Sequence, residues 1–594
     1  MNIAEQIKRI TAQAIGELYQ FPIEENNILI NATKPEFTGD YTVVLFSLLK
    51  SLKKSPEILG KELGEYFVQK NSSLVKEFNV IKGFLNLSVS DNYWIDFLQK
   101  NSIDKNFGAS VPTPEKIMVE YSSPNTNKPL HLGHLRNNFL GNSIAEILKA
   151  NGKNVVTTCV VNDRGIHICK SMIAWQRFAN GATPASTHTK GDHFVGDYYV
   201  KFNDEYKKEI EGLKAEGISQ EDAEKNAPIM KAAQQMLLDW EAGKPDVMEL
   251  WKKMNAWVYE GFDETYQLIG TKFDKVYYES NTYLLGKDLV EEGLRNNIFY
   301  KKEDGSVWID LTADGLDEKL VRRKDGTSVY ITQDIGLAEL KQKEFGINQS
   351  IYVVGDEQNY HFKVLKLICQ KLGLPSANGI YHLSYGMVEL PSGKMKSREG
   401  TVVDADDIVA EMMNIARQKT EELGKVKDFS ESELLKLYRT LGLGALKFFL
   451  LRVNPKKKIL FNPEESIDFH GFTAPFVQYT YARIQSILRK LADENLLQQS
   501  IPFTILLPQE KDVITALEQF PTVIKEAAEE QDSSKIAVYV YNLAKIFNQF
   551  YTDLSIANAE NEEKKILRLH IAKLTGTVIS SAMQLLGIDV PERM

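Results

Sequence analysis

The spacing of apolar residues changes along the chain, and these changes predict where one kind of domain gives way to another. Over residues 3–19 the apolar positions share one helix face, and a second helical pattern covers 43–70. Residues 84–89 then favour a strand. Prolines and small residues make 108–114 a linker. We therefore expect a small α+β domain over residues 1–110.

The pattern beyond the linker is strand, helix, strand. Residues 116–121 favour a strand, 131–150 a helix that ends at Asn-Gly, and 155–161 a buried parallel strand rich in β-branched residues. A charged helical pattern from about 168 to 270 interrupts this order and predicts an insertion. Further strand patterns lie at 328–332, 351–354 and 380–388.

From about residue 405 onward the pattern is almost wholly helical. The predicted fold class is α/β: a Rossmann-like parallel-sheet domain over 111–400, a connecting helical region over 401–460 and an all-α domain over 461–594. Ligands of open parallel sheets bind beyond the carboxyl ends of the strands. We therefore expect the chemistry in the loops that follow those strands.

Composition narrows the class of protein. Of 594 residues, 43% are hydrophobic and 25% charged, a balance typical of a folded domain protein. No stretch approaches the roughly 20 apolar residues of a membrane span, and the N-terminus lacks the pattern of a signal peptide. The three cysteines form no CxxC pair, so we expect no protein-bound metal and a reducing cytoplasm.

The formal charge of −9 argues at first against a nucleic-acid partner. Phosphate binding depends on local clusters rather than on the total, however, and residues 452–458 contain one. Its candidates for RNA contact are Arg452 and Lys456. The alternative, a solvated run of charges, stays open from the sequence.

The first candidate motif follows the strand at 116–121 and opens the helix at 131–150. His131, Gly133 and His134 form an HxGH sequence in which both imidazoles can lie on the first helical turn. A helix N-terminus already offers N–H donors to an anion, and Gly133 leaves room for a nucleotide ring. Two structural histidines are the alternative interpretation.

The second candidate motif is a loop after the last predicted sheet strand, Ser392–Gly400. Lys394, Met395 and Lys396 lie within it, between glycines that suit a loop able to close over a triphosphate. Solvated surface is the alternative for such a composition.

Together the two motifs resemble the HIGH and KMSKS signatures of class I aminoacyl-tRNA synthetases. The wider match is to the arginyl-tRNA synthetases, and it extends over every predicted domain. Its further segments are Phe37–Tyr41, Val119–Asn125, Val161–Gly165, Tyr330–Ile335 and Leu586–Met594. One position departs from KMSKS: Ser397 stands where the second lysine is expected. Arginyl enzymes often carry that lysine just before HxGH, which is Lys128 here.

The resemblance implies an arginine pocket. It assigns side-chain recognition to Glu120, Tyr330 and Asp334, and carboxylates suit a planar guanidinium with five donors. A strand over 330–334 would put Tyr330 and Asp334 on one face. For Asp334 the alternative is a cap for a helix starting near Ile335, and for Tyr330 it is a core position.

The resemblance also assigns the α-amino and carboxylate groups of arginine to Ser123, Asn125, His134 and Gln358. Gln358 follows a predicted strand, and a surface loop is its alternative. Glu279 is a further candidate in the arginine pocket.

The C-terminal segment 475–484 mixes aromatic, polar and basic residues, which can stack on unpaired RNA bases and bind their edges. It is similar to the anticodon-binding domain of arginyl enzymes, whose last residue lies near the anticodon. The candidates are Gln478, Tyr479, Tyr481, Arg483 and Met594. Tyr479 and Tyr481 would face different sides of a helix, so core packing is the alternative for either.

By resemblance the chain is expected to join L-arginine to tRNA(Arg) in two steps, with ATP as substrate and Mg²⁺ carried on it. We expect a monomer with no membrane partner. His131, His134, Lys128, Lys394 and Lys396 would stabilise charge on the phosphates. A nucleotidylyltransferase would share HxGH but need no RNA-reading domain. A non-catalytic tRNA-binding paralogue should have lost one of these histidines or Lys394.

Overall fold

The computed structural model describes residues 2–34, 36–391, 403–424, 428–491 and 495–594. The N-terminal part consists of an antiparallel sheet, in the order β1-β2-β4-β3, with helices packed against it. Its elements are α1 (Ile3–Tyr19), β1 (Ile30–Ala32), β2 (Tyr41–Val44), α2 (Phe46–Leu52), α3 (Pro56–Lys70), β3 (Val75–Ile81), β4 (Phe84–Val89) and α4 (Asp91–Asn101).

Helix α1 begins and packs as its sequence predicts. Asn2 accepts from the backbone N–H of Glu5 and the Glu5 side chain accepts from that of Asn2, a capping box that satisfies two donors of the first turn. The predicted helix over 43–70 was wrong at its start, because Val43 belongs to β2. There it pairs with Leu85 and is fully buried, so sheet pairing outweighs the helical pattern.

The central domain contains a five-stranded parallel sheet in the order β12-β11-β5-β6-β7. The expected helical insertion lies between β6 and β7. The elements are β5 (Lys116–Glu120), α5 (Leu132–Ala150), β6 (Asn154–Val161), α6 (Ile166–Phe178), α7 (Pro184–Thr187), α8 (Gly191–Ala215), α9 (Gln220–Asn226), α10 (Pro228–Glu241), α11 (Pro245–Ile269), β7 (Lys275–Tyr278), α12 (Glu279–Thr282), α13 (Lys287–Arg295), β8 (Tyr300–Lys301), β9 (Val307–Ile309), β10 (Lys319–Arg322), α14 (Tyr330–Phe345), β11 (Gln349–Gly355), α15 (Asn359–Lys371), β12 (Ile380–Tyr385) and β13 (Val388–Glu389).

The predicted strand over 328–332 was wrong. Residue Tyr330 begins helix α14, with Val329 as its N-cap, so Asp334 does not cap a helix start either. Ile331, Ile335 and Ala338 recur at helical spacing and are buried. Burying this face outweighs the strand preference of a short β-branched and aromatic segment.

The predicted strand over 380–388 is interrupted at Gly386. A side chain at Gly386 would come within 2.8 Å of the backbone of Lys457, so glycine permits a close approach of the two segments. The chain therefore divides into β12, in the main sheet, and β13, which pairs in parallel with β14 (Ile459–Leu460).

The remaining chain is helical, as predicted. Its helices are α16 (Ala405–Leu423), α17 (Glu431–Leu451), α18 (Pro463–Ser466), α19 (Ala474–Lys490), α20 (Pro508–Glu518), α21 (Phe520–Glu530), α22 (Ser534–Asp553) and α23 (Glu562–Leu585). Buried apolar residues from α5, α17 and α23 belong to one continuous core, so the helical part packs directly behind the HxGH helix. Within the described residues, no helix is both long and apolar enough to span a membrane.

Candidate active site and RNA-binding groove

Several candidate residues meet at the carboxyl edge of the parallel sheet. Glu120 is the last residue of β5, Glu279 directly follows β7, and Gln358 lies in a short 3₁₀ turn after β11. Because neighbouring parallel strands end at the same edge, the sheet brings together residues that are far apart in sequence. Glu120, Glu279 and Gln358 therefore lie at the edge where ligands of parallel sheets bind.

The HxGH motif forms the first turn of α5. His131 is the N-cap, and its Nδ1 accepts from the backbone N–H of Gly133 at 3.1 Å. The Nδ1 of His134 accepts from the backbone N–H of His131 at 3.1 Å. A side chain at Gly133 would lie 3.0 Å from the His131 ring, so glycine lets the imidazole fold over the turn.

These hydrogen bonds define what the imidazoles can donate. Since each Nδ1 accepts, the proton of each neutral ring is on Nε2, which is then a donor. Burial, with Lys128 nearby, lowers the pKa of His131 to about 3, and burial likewise lowers the pKa of His134 well below its usual value. Both rings are therefore neutral donors at neutral pH.

Lys128 is half-buried and close enough to both histidines to affect their ionisation. Burial lowers its own pKa from 10.5. The other cations proposed to act on the phosphates, Lys394 and Lys396, lie with Met395 outside the described residues.

The segment between β5 and α5 has an unusual backbone. Ser122 and Ser123 adopt φ values of +77° and +45°, which are uncommon for serine. Asn137 of α5 accepts from the Ser122 backbone N–H at 2.5 Å and donates to the Val353 carbonyl of β11 at 2.7 Å. One amide thus joins the loop, α5 and the sheet.

Two candidates for the α-amino and carboxylate groups of arginine lie in this loop. Asn125 is exposed, and it forms an isolated parallel bridge with Asn162, the residue after β6. The Asn162 side chain donates to the Ser123 carbonyl at 3.2 Å. Ser123 and Asn125 are therefore held against the neighbouring strand end, while Gln358 is exposed on the far side of β5.

Asp334 and Tyr330 share a helix face because they are four residues apart on α14, not because they lie on a strand. Tyr330 is 73% exposed, so the core alternative is wrong. Asp334 Oδ2 lies 2.7 Å from His361 Nε2, a contact that orients the carboxylate.

Glu279 has a strongly raised pKa, and the Asp334 carboxylate contributes to the shift. Burial raises its pKa to about 7; Arg164 opposes this shift, and the carboxylates of Asp163 and Asp334 add to it. Two carboxylates in a partly buried site create a negative potential that a guanidinium would relieve.

Glu120 is not available as an unpaired carboxylate. Its Oε2 is hydrogen-bonded to Lys341 Nζ of α14, and the Lys341 side chain is only 1% exposed. The ammonium also lies 4.9 Å from the Tyr352 ring centroid. An internal cation therefore already neutralises part of the charge that was expected to face arginine.

The helical domain contains an open groove of about 680 Å³. Tyr479, Arg483, Tyr551 and Met594 line it, and the Arg483 guanidinium lies 5.0 and 5.3 Å from the ring centroids of Tyr479 and Tyr551. Aromatic faces beside a guanidinium suit the stacking and edge recognition of unpaired bases. Tyr481 instead packs against the core, which was the alternative for either tyrosine.

Three residues predicted to bind RNA are placed differently. Gln478 is fully buried and donates to the carbonyls of Thr440 and Asp589, so it holds the C-terminal segment and is not accessible to RNA. Arg452 donates to the Phe472 carbonyl and to Glu465, and stacks on Phe449. Lys456 is exposed, but neither Arg452 nor Lys456 lines the groove.

Four further residues of the site are not among those that the sequence patterns predicted: Asn137, His361, Lys341 and Arg164. A weak signal existed for Asn137, since two consecutive amides on the turn after HxGH are unusual in a helix that is otherwise buried. No local pattern could have identified His361 and Lys341, because their partners Asp334 and Glu120 lie 27 and 221 residues away in the sequence.

Family models match most of the chain. Residues 98–462 match the model described as tRNA synthetases class I (R), catalytic domain. Residues 477–594 match the DALR anticodon binding domain, and residues 3–89 match the arginyl tRNA synthetase N terminal domain.

Similar proteins cover the whole chain. An arginine–tRNA ligase of Parabacteroides distasonis is 52% identical over 599 residues, and one of Flavobacterium psychrophilum is 53% identical over 607 residues, each with 100% of both chains covered. Among solved structures, the arginyl-tRNA synthetase of Thermus thermophilus has a TM-score of 0.76 at 23% identity, covering 99% of each chain. That of Plasmodium falciparum has a TM-score of 0.77 at 18% identity, covering 100% of this chain and 99% of that one.

Proposed function

The chain belongs to the arginine–tRNA ligases, ATP-using enzymes of the class I aminoacyl-tRNA synthetases, and from this premise we propose how its residues divide the reaction. L-Arginine and ATP meet at the carboxyl edge of the parallel sheet. The arginine carboxylate attacks the α-phosphate, giving arginyl-adenylate and pyrophosphate. A terminal ribose hydroxyl of tRNA(Arg) then takes the arginyl group.

The observation that carries the arginine assignment is that Asp334 of α14 contributes to the raised pKa of Glu279, which directly follows β7, so the two carboxylates belong to one site. A guanidinium placed between them would favour the ionised form of both carboxylates and could be bound in bidentate geometry. Tyr330 offers an exposed ring at the same helix face. Glu120 contributes through its pair with Lys341, which fixes one carboxylate oxygen at the end of β5.

Ser123, Asn125, His134 and Gln358 would hold the α-amino and carboxylate groups of arginine. The left-handed serines and the Asn125–Asn162 bridge support this role, because they fix polar groups at the strand ends before a ligand binds. Fixed donors and acceptors lose little entropy on binding.

His131 and His134 would donate their Nε2–H groups to the phosphates of ATP, with the nucleotide ring above Gly133. Two neutral N–H donors stabilise the charge that develops on the phosphates, and no additional cations have to be desolvated to supply them. Lys128 would replace the lysine missing at Ser397, beside Lys394 and Lys396, and Met395 would contact the nucleotide. Mg²⁺ would arrive on ATP and neutralise phosphate charge.

The groove around Tyr479, Arg483 and Met594 would read the tRNA anticodon. Its support is the combination of stacked cation and rings with an open surface. We propose that the protein acts as a monomer in the cytoplasm, with its tRNA as the macromolecular partner.

The function is tested by pyrophosphate exchange with each of the twenty amino acids, with and without tRNA. We expect exchange with arginine, and stronger exchange when tRNA is present. Exchange that needs no amino acid would instead identify a nucleotidylyltransferase.

The arginine pocket is tested by Asp334→Asn. The amide offers one acceptor and brings donors that oppose the guanidinium hydrogens. Loss of a charge-assisted pair in a desolvated pocket costs about 2–5 kcal/mol, or roughly 30-fold to several thousand-fold in KM for arginine, with KM for ATP nearly unchanged. The matched control is Glu339→Gln on the same helix, whose carboxylate pairs with Lys343 at the surface. A KM for arginine within threefold of wild type would refute the assignment.

A further inference from the structure

A cluster of charged side chains lies outside the catalytic site, where the helical insertion meets the chain that precedes α16. Lys190 is the N-cap residue of α8, His193 lies in the first turn of that helix, and Thr265 comes from α11. Asp404 and Asp406 belong to the segment that begins α16. We call these five residues the insertion clamp.

The contacts of the insertion clamp centre on Asp406. Its Oδ2 accepts from Lys190 Nζ at 2.6 Å and lies 3.1 Å from His193 Nε2, while its Oδ1 accepts from the Thr265 hydroxyl at 2.9 Å. His193 Nε2 also lies 3.3 Å from Asp404 Oδ2. One carboxylate is thus held by three side chains from two insertion helices.

The segment held by the clamp runs beside the HxGH turn. His131 and Asp404 form an antiparallel bridge. The backbone N–H of Leu132 donates to the Val403 carbonyl at 3.2 Å, and that of Ala405 donates to the Leu130 carbonyl at 3.0 Å. The turn that carries the two imidazoles is therefore hydrogen-bonded to the segment that the clamp holds in place.

The clamp is built with little freedom to rearrange. Asp192, which also pairs with Lys190, is fully buried, and a side chain at Gly261 of α11 would come within 2.3 Å of its Oδ1. The Lys190 ammonium pairs with the carboxylates of both Asp192 and Asp406. The insertion helices therefore present a rigid, charged surface to residues 404–406.

We propose that His193 and Asp406 are positioning residues for arginine activation: they clamp the 403–405 segment against the HxGH turn and so hold the His131 and His134 donors in register with the phosphates. This inference rests on the proposed roles of those two histidines. It assigns the insertion a part in the chemistry although no insertion residue of the clamp needs to touch a substrate. A displacement of about 1 Å at a catalytic donor can cost on the order of 100-fold in rate.

The proton on His193 matters because the ring lies between two carboxylates. The hydrogen bond to Asp406 raises the pKa of His193, with Asp404 and Asp192 acting in the same direction while burial and Lys190 oppose. Asp197, one turn along α8, also has an electrostatic interaction with the His193 ring. As pH rises through this raised value the clamp loses its second cation, so arginine activation should fall on the alkaline side.

The experiment measures tRNA-dependent arginine activation by the full-length chain between pH 6 and 9 for His193→Ala, His193→Gln and Asp406→Asn. We expect His193→Ala and Asp406→Asn to lower kcat about 10-fold to 100-fold, with KM for arginine within twofold of wild type. His193→Gln keeps an N–H donor but cannot titrate. It should recover part of kcat and lose the alkaline limb of the profile.

The matched control is Glu211→Gln, an exposed carboxylate on the same helix that pairs with Lys214 and should keep kcat within twofold of wild type. His131→Asn and His134→Asn distinguish a failure of the proposed histidine roles from a failure of the clamp. If they leave kcat unchanged, the proposed roles of the histidines fail. If they lower kcat while His193→Ala, folded with a wild-type unfolding midpoint, does not, the clamp proposal is overturned. Equal loss in His193→Ala and His193→Gln, with a lowered unfolding midpoint in both, would also overturn it, because the role would then be stability alone.

Discussion

At the scale of single residues, the charge of Glu279 in the candidate pocket changes near neutral pH, since burial raises its pKa to about 7. The imidazoles of His131 and His134 remain neutral over the same range because their pKa values are lowered. A change in arginine affinity around pH 7 should therefore report Glu279 rather than the HxGH motif.

We expect KM for arginine to rise as pH falls below about 7, by up to about tenfold per pH unit if only the ionised carboxylate binds the guanidinium. Glu279→Gln should raise KM at pH 8 and remove this dependence. Steady-state exchange kinetics between pH 5.5 and 8.5 would measure it. Glu318→Gln, an exposed carboxylate just before β10 that pairs with Lys302, is the control, and its profile should match wild type.

The raised pKa of Glu279 also makes the stability of the native state depend on pH. Between its usual pKa of 4.5 and about 7, Glu279 binds a proton in the native state but not in the unfolded state, so its contribution to stability falls as pH rises through that window. Arginine should therefore raise the unfolding midpoint more at pH 8 than at pH 6. An equal rise at both values would contradict a guanidinium at Glu279.

At the scale of one element, helix α19 has two functional faces. Tyr479 faces the groove beside Arg483, and Tyr481 packs toward the core. Their spacing of two residues puts them on different sides of a helix, so a single element joins RNA contact to domain packing.

The two faces predict opposite outcomes for two otherwise similar substitutions. Tyr479→Ala should weaken tRNA binding by about 1–3 kcal/mol with little change in the unfolding midpoint, because a stacking ring is lost from an open surface. Tyr481→Ala should lower the free energy of unfolding by about 1–3 kcal/mol, because packing is lost. Filter binding and thermal unfolding distinguish them. Loss of stability in both variants, or no loss of tRNA binding in Tyr479→Ala, would reject this division.

At the scale of the whole molecule, the N-terminal domain docks on the helical domain. Asp40 Oδ2 accepts from the Val89 backbone N–H at 2.7 Å and from Lys511 Nζ of α20 at 2.7 Å. The backbone N–H of Ile3 donates to Glu518 at 2.6 Å. Residues at opposite ends of the chain thus hold the two domains together around the linker.

We expect Asp40→Asn and Lys511→Met to be non-additive, with a coupling of about 1 kcal/mol, since they remove the same ion pair, whose side chains are 19% and 18% exposed. Loss of about 1 kcal/mol at this contact would raise the undocked population about fivefold. Limited proteolysis in the 108–114 linker would report it, while arginine activation stays unchanged. Lys54→Met, which breaks an ion pair inside the N-terminal domain, should not accelerate linker cleavage. Additive effects on cleavage would show that the pair does not join the domains.

Local patterns along the chain were enough for much of the architecture. The α1 face, the parallel strands around HxGH and the helical C-terminal region follow from periodicity and capping, which act between residues close in sequence. The strand pattern also predicts a ligand site at the carboxyl edge of the sheet, because open parallel sheets bind their ligands at that edge.

Only the tertiary structure decided the state of individual site residues. Tyr330–Asp334 is a helix because burial of Ile331 and Ile335 outweighs local strand preference. Glu120 is paired because Lys341, 221 residues away, packs against it, and Gln478 is buried because the C-terminal segment folds over it. Contacts between distant segments set the charge, the exposure and the hydrogen-bond partner of each site residue. A local sequence pattern does not identify which distant side chain will contact a given residue.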